Sequence, residues 1–85
     1  MSLEAKTELV RLLVEAVVRG LVDEPDEVRV GVNVGTRVVV LSVEVAREDV
    51  GRAVGARGAY MNLLGKLLTP IGFNHQIRYV LDRIQ

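Results

Sequence analysis

The chain has 85 residues, with 11 basic and 11 acidic side chains, one histidine, no cysteine and no tryptophan. That length holds one small domain, and the missing cysteine excludes disulfides, thiolate zinc ligands and a thiol nucleophile while fitting a reducing, cytoplasmic setting. The longest apolar run is Val38 to Leu41, so no membrane span is expected, and no basic segment feeding an apolar stretch marks a secretory signal.

The zero net charge hides an asymmetry. Residues 1–49 sum to −4, whereas residues 50–85 set Asp82 against Arg52, Arg57, Lys66, Arg78 and Arg83 and sum to +4. Electrostatics act through local patches, so the second half can still meet an anion. Arginine outnumbers lysine nine to two. That suits phosphate contacts, and a thermophilic or GC-rich source gives the same bias.

Leu9, Leu12, Leu13, Ala16, Val17 and Gly20 follow the helical period, with Val10, Val14 and Val18 as apolar surplus beside them. The first helix is expected from about Leu3 to Val22, capped by Ser2 and ended by Asp23-Glu24-Pro25-Asp26. Strict alternation of Val28, Val30, Val32 and Val34 predicts a strand. Gly35-Thr36 predicts a tight hairpin turn, and Arg37 to Ala46 a second strand with Val39, Leu41, Val43 and Val45 on one face. Glu48-Asp49 suit the start of a short helix carrying Val50 and Val54. Gly55-Ala56-Arg57-Gly58 is a glycine-flanked turn, followed by a third helix over Ala59 to Leu68 that Pro70 and Gly72 end. After a loop from Ile71 to His75, Ile77, Tyr79 and Leu81 alternate as a third strand. The expectation is one α+β domain over residues 1–85, of order α-β-β-α-α-β, with a three-stranded sheet and helices on one face.

Little here supports catalysis. His75 is the sole histidine, and no hydroxyl sits in a nucleophile elbow. Asp23, Glu24, Asp26 and Glu27 lack the ligand spacing of a calcium loop. Gly65-Lys66 has neither the leading glycine nor the following Ser/Thr of a P-loop. No metal or cofactor is expected. The remaining motif is Gly55-Ala56-Arg57-Gly58, a short pattern that gains meaning from lying between two helices after a β-hairpin. Glycines at both ends let the backbone approach phosphates, the next helix aims its N–H groups at the same anions, and Arg57 adds a mobile cation. An ordinary corner between two helices also favours glycine.

In this order and with this loop, the chain resembles the small bacterial single-KH-domain RNA-binding proteins of the KhpA/YlqC type, whose fold is the type II KH arrangement. The resemblance rests on Leu21 to Val28 at the helix-to-strand passage and on Glu48 to Gly58 leading through the GXXG loop. It implies that Gly55, Ala56, Arg57 and Gly58 clamp the backbone of single-stranded RNA, or of single-stranded DNA, and that Arg52 flanks the clamp. It also implies that bases lie in a groove between these helices and a strand, with Val50, Val54 and parts of the second strand as candidate walls and Lys66 as a nearby cation. Ala56 and Ala59 stand where the family commonly has basic residues, Arg47 where it has proline, and Thr69 to Gln76 follows the family poorly.

The expected function is non-catalytic binding of single-stranded RNA in RNA metabolism. The alternative is a KH-fold module with weakened RNA binding that acts through self-association or a protein partner, the resemblance pointing to a larger Jag-like protein that carries a KH domain. A homodimer is expected from the apolar surplus at Val10, Val14, Val18, Met61, Leu68, Val38 and Val40.

Overall fold

In a computed structural model, which describes residues 1–85, the element order is α1 (Leu3–Leu21), β1 (Arg29–Val34), β2 (Val38–Glu44), α2 (Val50–Val54), α3 (Ala59–His75) and β3 (Arg78–Ile84). This is the expected α+β order. Single 3-10 turns at Pro25–Glu27, Arg47–Asp49 and Ala56–Gly58 join the elements.

Ser2 caps α1, its Oγ accepting the Ala5 N–H at 3.1 Å. The face that α1 buries is Thr7, Val10, Val14 and Val18. This corrects the expected core stripe, since Leu9 and Leu12 are exposed and the supposed surplus valines are the core. Both stripes satisfy the helical period, so period alone cannot choose between them. The one with the smaller side chains meets the sheet.

The sheet has the order β1-β2-β3, with β1 antiparallel and β3 parallel to the central β2. The hairpin loop holds Gly35, Thr36 and Arg37 rather than two residues, because Arg37 turns left-handed at φ 62° before β2 begins. A parallel neighbour for β2 requires a crossover, which α2 and α3 supply. Along β3 the register slips: Leu41 faces Leu81, but Ser42 faces Arg83, so Asp82 is an extra residue. The bulge resets the alternation, and Ile84 joins Tyr79 on the buried face.

The third helix does not stop at Leu68. It runs through Pro70 to His75. Pro70 removes one N–H from the ladder, but it and Lys66, whose carbonyl loses that partner, are both exposed and open to solvent. The stop comes at Gln76 (φ 60°, ψ 38°), where Gln76 N–H reaches Phe73 O at 3.3 Å and Ile77 N–H reaches Gly72 O at 3.0 Å. Gly72 is required there, since a Cβ would fall 2.5 Å from Ile77 O.

Thirteen buried apolar residues form one core: Val10, Val14 and Val18 of α1 and Ala53, Leu64 and Leu68 of the other helices lie over Val30, Val39, Leu41, Val43, Tyr79 and Ile84, with Val28 at the rim. Each fully buried valine or leucine contributes about 1.5–3 kcal/mol relative to exposure. No helix is long and apolar enough to cross a membrane.

Candidate nucleic-acid interface

The GXXG loop is a chain of unusual backbone conformations. Gly55 ends α2, its N–H donating to Gly51 O at 2.9 Å while its backbone takes φ 80° and ψ 167°, a region held almost only by glycine. Arg57 (φ 57°, ψ 28°) and Gly58 (φ 74°, ψ 19°) follow in the left-handed region. Gly58 N–H closes the loop onto Gly55 O at 3.1 Å. Ala56 and Arg57 are exposed and add nothing to the core. No side chain caps α3 at Gly58, so the positive end of a 17-residue helix opens next to Arg57, whose side chain is exposed.

The loop is held from behind. Asp49, 1% exposed, accepts the N–H groups of Asp23 at 3.2 Å and Glu24 at 3.0 Å, tying the end of α1 to the start of α2. Arg52 completes this clasp: its guanidinium lies 3.3 Å from Asp49 Oδ1 and 3.3 Å from Asp23 Oδ2, and donates to Glu48 O at 2.9 Å. Arg52 flanks the loop as expected, but two carboxylates already neutralise it. Val50 and Val54 are half-buried, and Val54 packs against the core.

Beside the loop, α3 turns a polar, small-residue face toward β3. Gly58, Asn62, Gly65, Lys66 and Thr69 recur at helical spacing on it, and a shallow groove runs between Met61, Asn62, Gly65, Lys66 and Thr69 on one side and Leu81 on the other. None of these residues is acidic. A Cβ at Gly65 would meet nothing within 4 Å, so the groove floor is open there. The strand that lines this groove is β3, through Leu81, an edge whose outer backbone groups are unused by the sheet, whereas β2, the candidate wall, is central and paired on both sides. Lys66 lies on the groove as expected; Met61, Asn62, Gly65, Thr69 and Leu81 were missed. The legible signal was the polar stripe at i, i+3, i+4 and i+7 from Asn62 on an otherwise leucine-rich helix.

Farther along the same cleft, Tyr79 is buried beneath α3, its hydroxyl 2.7 Å from His75 Nδ1. Desolvation pushes the Tyr79 hydroxyl above the usual tyrosine range.

A helix, a glycine-flanked loop and a second helix connecting two parallel strands, with a leading helix and an antiparallel strand in front, define a KH domain. The family model described as "KhpA/KhpB, KH domain" matches residues 11–82, and the chain belongs to that family. It is 38% identical over 72 residues to the RNA-binding protein KhpA of Treponema pallidum, covering 85% of this chain and 90% of that protein. It is 42% identical over 59 residues to RNA-binding protein KhpA of Mycobacterium leprae, covering 69% and 74%. The corresponding protein of Leifsonia xyli is 40% identical over 62 residues, covering 73% and 82%. No solved structure gives a significant match.

Proposed function

We propose that the chain, as one KH domain over residues 1–85, is a non-catalytic cytoplasmic protein that binds single-stranded RNA. The carrying observation is the loop itself: three positive-φ positions within four residues, at Gly55, Arg57 and Gly58, open beside the uncapped start of α3 and a groove without acidic lining. In this reading the phosphates lie against Gly55 to Gly58, Arg57 and Lys66 pair with them, and bases enter between α3 and the edge of β3. Arg52 serves by holding α2, since Asp49 and Asp23 occupy its guanidinium. The relatives' name, RNA-binding protein KhpA, supports the ligand class. The test is fluorescence anisotropy with short labelled RNAs and single-stranded DNAs at two salt concentrations. Salt-sensitive binding is expected, and no binding to either would overturn the reading.

A second activity, self-association, is favoured by the exposed leucines. The surface differs from the expected one, because Val10, Val14, Val18 and Leu68 are core. Leu9, Leu12, Leu63 and Leu67 are between 46% and 66% exposed instead. They lie on neighbouring faces of α1 and α3, which meet where Leu9 and Leu13 approach Pro70 and Asn74. A second copy of the chain would cover this face in a two-fold dimer, and the larger Jag-like partner that the resemblance implies would compete for it.

A further inference from the structure

The groove does not end at Thr69. The same face of α3 continues through Gly72, Phe73 and Gln76, opposite Ile77, Arg78 and Val80, and Thr69 lines both stretches. Phe73, the chain's one phenylalanine, is 82% exposed, the most exposed large apolar side chain in the protein. Its backbone is fixed: Phe73 O accepts from Gln76 N–H in the turn that Gly72 allows to fold onto Ile77. Arg78 takes part in none of the protein's ion pairs, which involve Arg11, Arg19 and Arg52 only. None of the residues lining this second stretch is acidic. Phe73 also stands apart from the leucine face, whose groove against Pro70 does not include it.

An exposed aromatic ring and an arginine free of ion pairs, both lining one stretch of groove in line with the proposed phosphate-binding loop, have the chemistry of a nucleotide subsite: the ring stacks a base and the arginine pairs with a phosphate of the same strand as it passes the edge of β3. We infer that Phe73 and Arg78 form a second nucleotide-binding subsite at the far end of the groove, which engages RNA longer than the stretch held at the GXXG loop. It lies about 21 Å along α3 from Ala59 at 1.5 Å per residue, beyond the four nucleotides that such a loop clamps. The inference rests on the RNA-binding reading above. Its occupant is the continuation of the same strand, because the two stretches adjoin at Thr69 and the only charged residues lining them are Lys66 and Arg78.

The test compares wild type, Phe73→Leu, Phe73→Tyr and Arg78→Gln by anisotropy with fluorescein-labelled tetranucleotide and octanucleotide RNA of randomised sequence. Comparing each variant with wild type on one oligonucleotide cancels the number of binding registers. Phe73→Leu should weaken octanucleotide binding about fivefold or more and leave the tetranucleotide unchanged. Phe73→Tyr should retain wild-type affinity, and Arg78→Gln should flatten the octanucleotide salt slope by about 0.7. If wild type binds both RNAs and Phe73→Leu binds the octanucleotide as tightly, the subsite is wrong while the loop stands. An equal loss on both lengths assigns Phe73 a general role and likewise overturns the subsite. If wild type binds neither RNA, the subsite and the RNA reading fall together.

Discussion

The ring of Tyr60 fills the space that a side chain on Gly55 would need: a Cβ at Gly55 would fall 2.8 Å from Tyr60 Cγ and Cδ2 and 2.9 Å from Tyr60 N. Tyr60 thus props the loop from the first turn of α3, and glycine is demanded at position 55 by contact as well as by φ. Gly55→Ala should cost about 1–3 kcal/mol through backbone strain alone, with the ring clash added. Adding Tyr60→Ala should relieve the ring contacts and leave the strain together with the contact to the backbone N of residue 60. Gly58→Ala, where the nearest side-chain atom is 3.7 Å away, should cost only the left-handed penalty of about 1–2 kcal/mol. Urea unfolding of the parent and these three variants measures this order, and equal losses at both glycines would refute it.

The Asp49 clasp makes a contrast between two neighbours. Asp49→Ala removes a buried acceptor from two backbone N–H groups, and a loss of about 2 kcal/mol is expected. Arg52→Ala removes half-exposed ion pairs and should cost less than about 1 kcal/mol. Denaturant midpoints that reverse this order would mean that the clasp is not what joins α1 to α2.

Alkaline stability should carry the mark of Tyr79. Its folded-state pKa is raised by burial, so the contribution of its neutral form is complete below the unfolded value of about 10 and is lost as pH rises toward the higher folded value. Tyr79→Phe gives up the His75 hydrogen bond and should lose about 1 kcal/mol at neutral pH. Its stability should then fall less than that of the parent above about pH 10. Parallel falls for the two proteins would show that Tyr79 is not the titrating group.

Much of the fold was written in the sequence. Alternating valines placed β1 and β2, and the pattern of Gly55 to Gly58 between helices placed the loop, because both signals are local. What was misread depends on distant partners. Two apolar stripes on α1 satisfied one period, and only the sheet's position selected Val10, Val14 and Val18. Pro70 reads as a stop, yet its lost hydrogen bond lies on the solvent side and α3 continues. That the groove beside α3 is lined by β3 and not by β2 could not be read, because strand order, with β2 central and β3 at the edge, is a tertiary fact. Arg52 looked like a free cation until Asp49 and Asp23 were placed beside it.

Self-association should respond to the leucine face and not to the buried valines. Sedimentation equilibrium should show a mass above 9.3 kDa at high concentration for the parent and near 9.3 kDa for Leu67→Glu, with helical content unchanged because Leu67 is 46% exposed. A parent that stays at the monomer mass across a hundredfold concentration range would remove the dimer.

Whether the GXXG loop holds phosphates is decided by the salt dependence of RNA binding in wild type and in the Ala56→Asp/Arg57→Asp double variant. Both side chains are exposed, and aspartate tolerates the left-handed backbone at position 57, so the variant should fold. With Arg57 and Lys66 as the loop-side cations, wild type should bind a tetranucleotide with a shallow slope of about −1.4, at about −0.7 per phosphate. Adding Arg78 on a longer strand brings it to about −2.1. The double variant should lose binding at both salt concentrations while its circular dichroism matches the parent. A folded double variant that binds RNA as the parent does would place the phosphates elsewhere, and a wild-type slope near −4 or steeper would require a second basic surface.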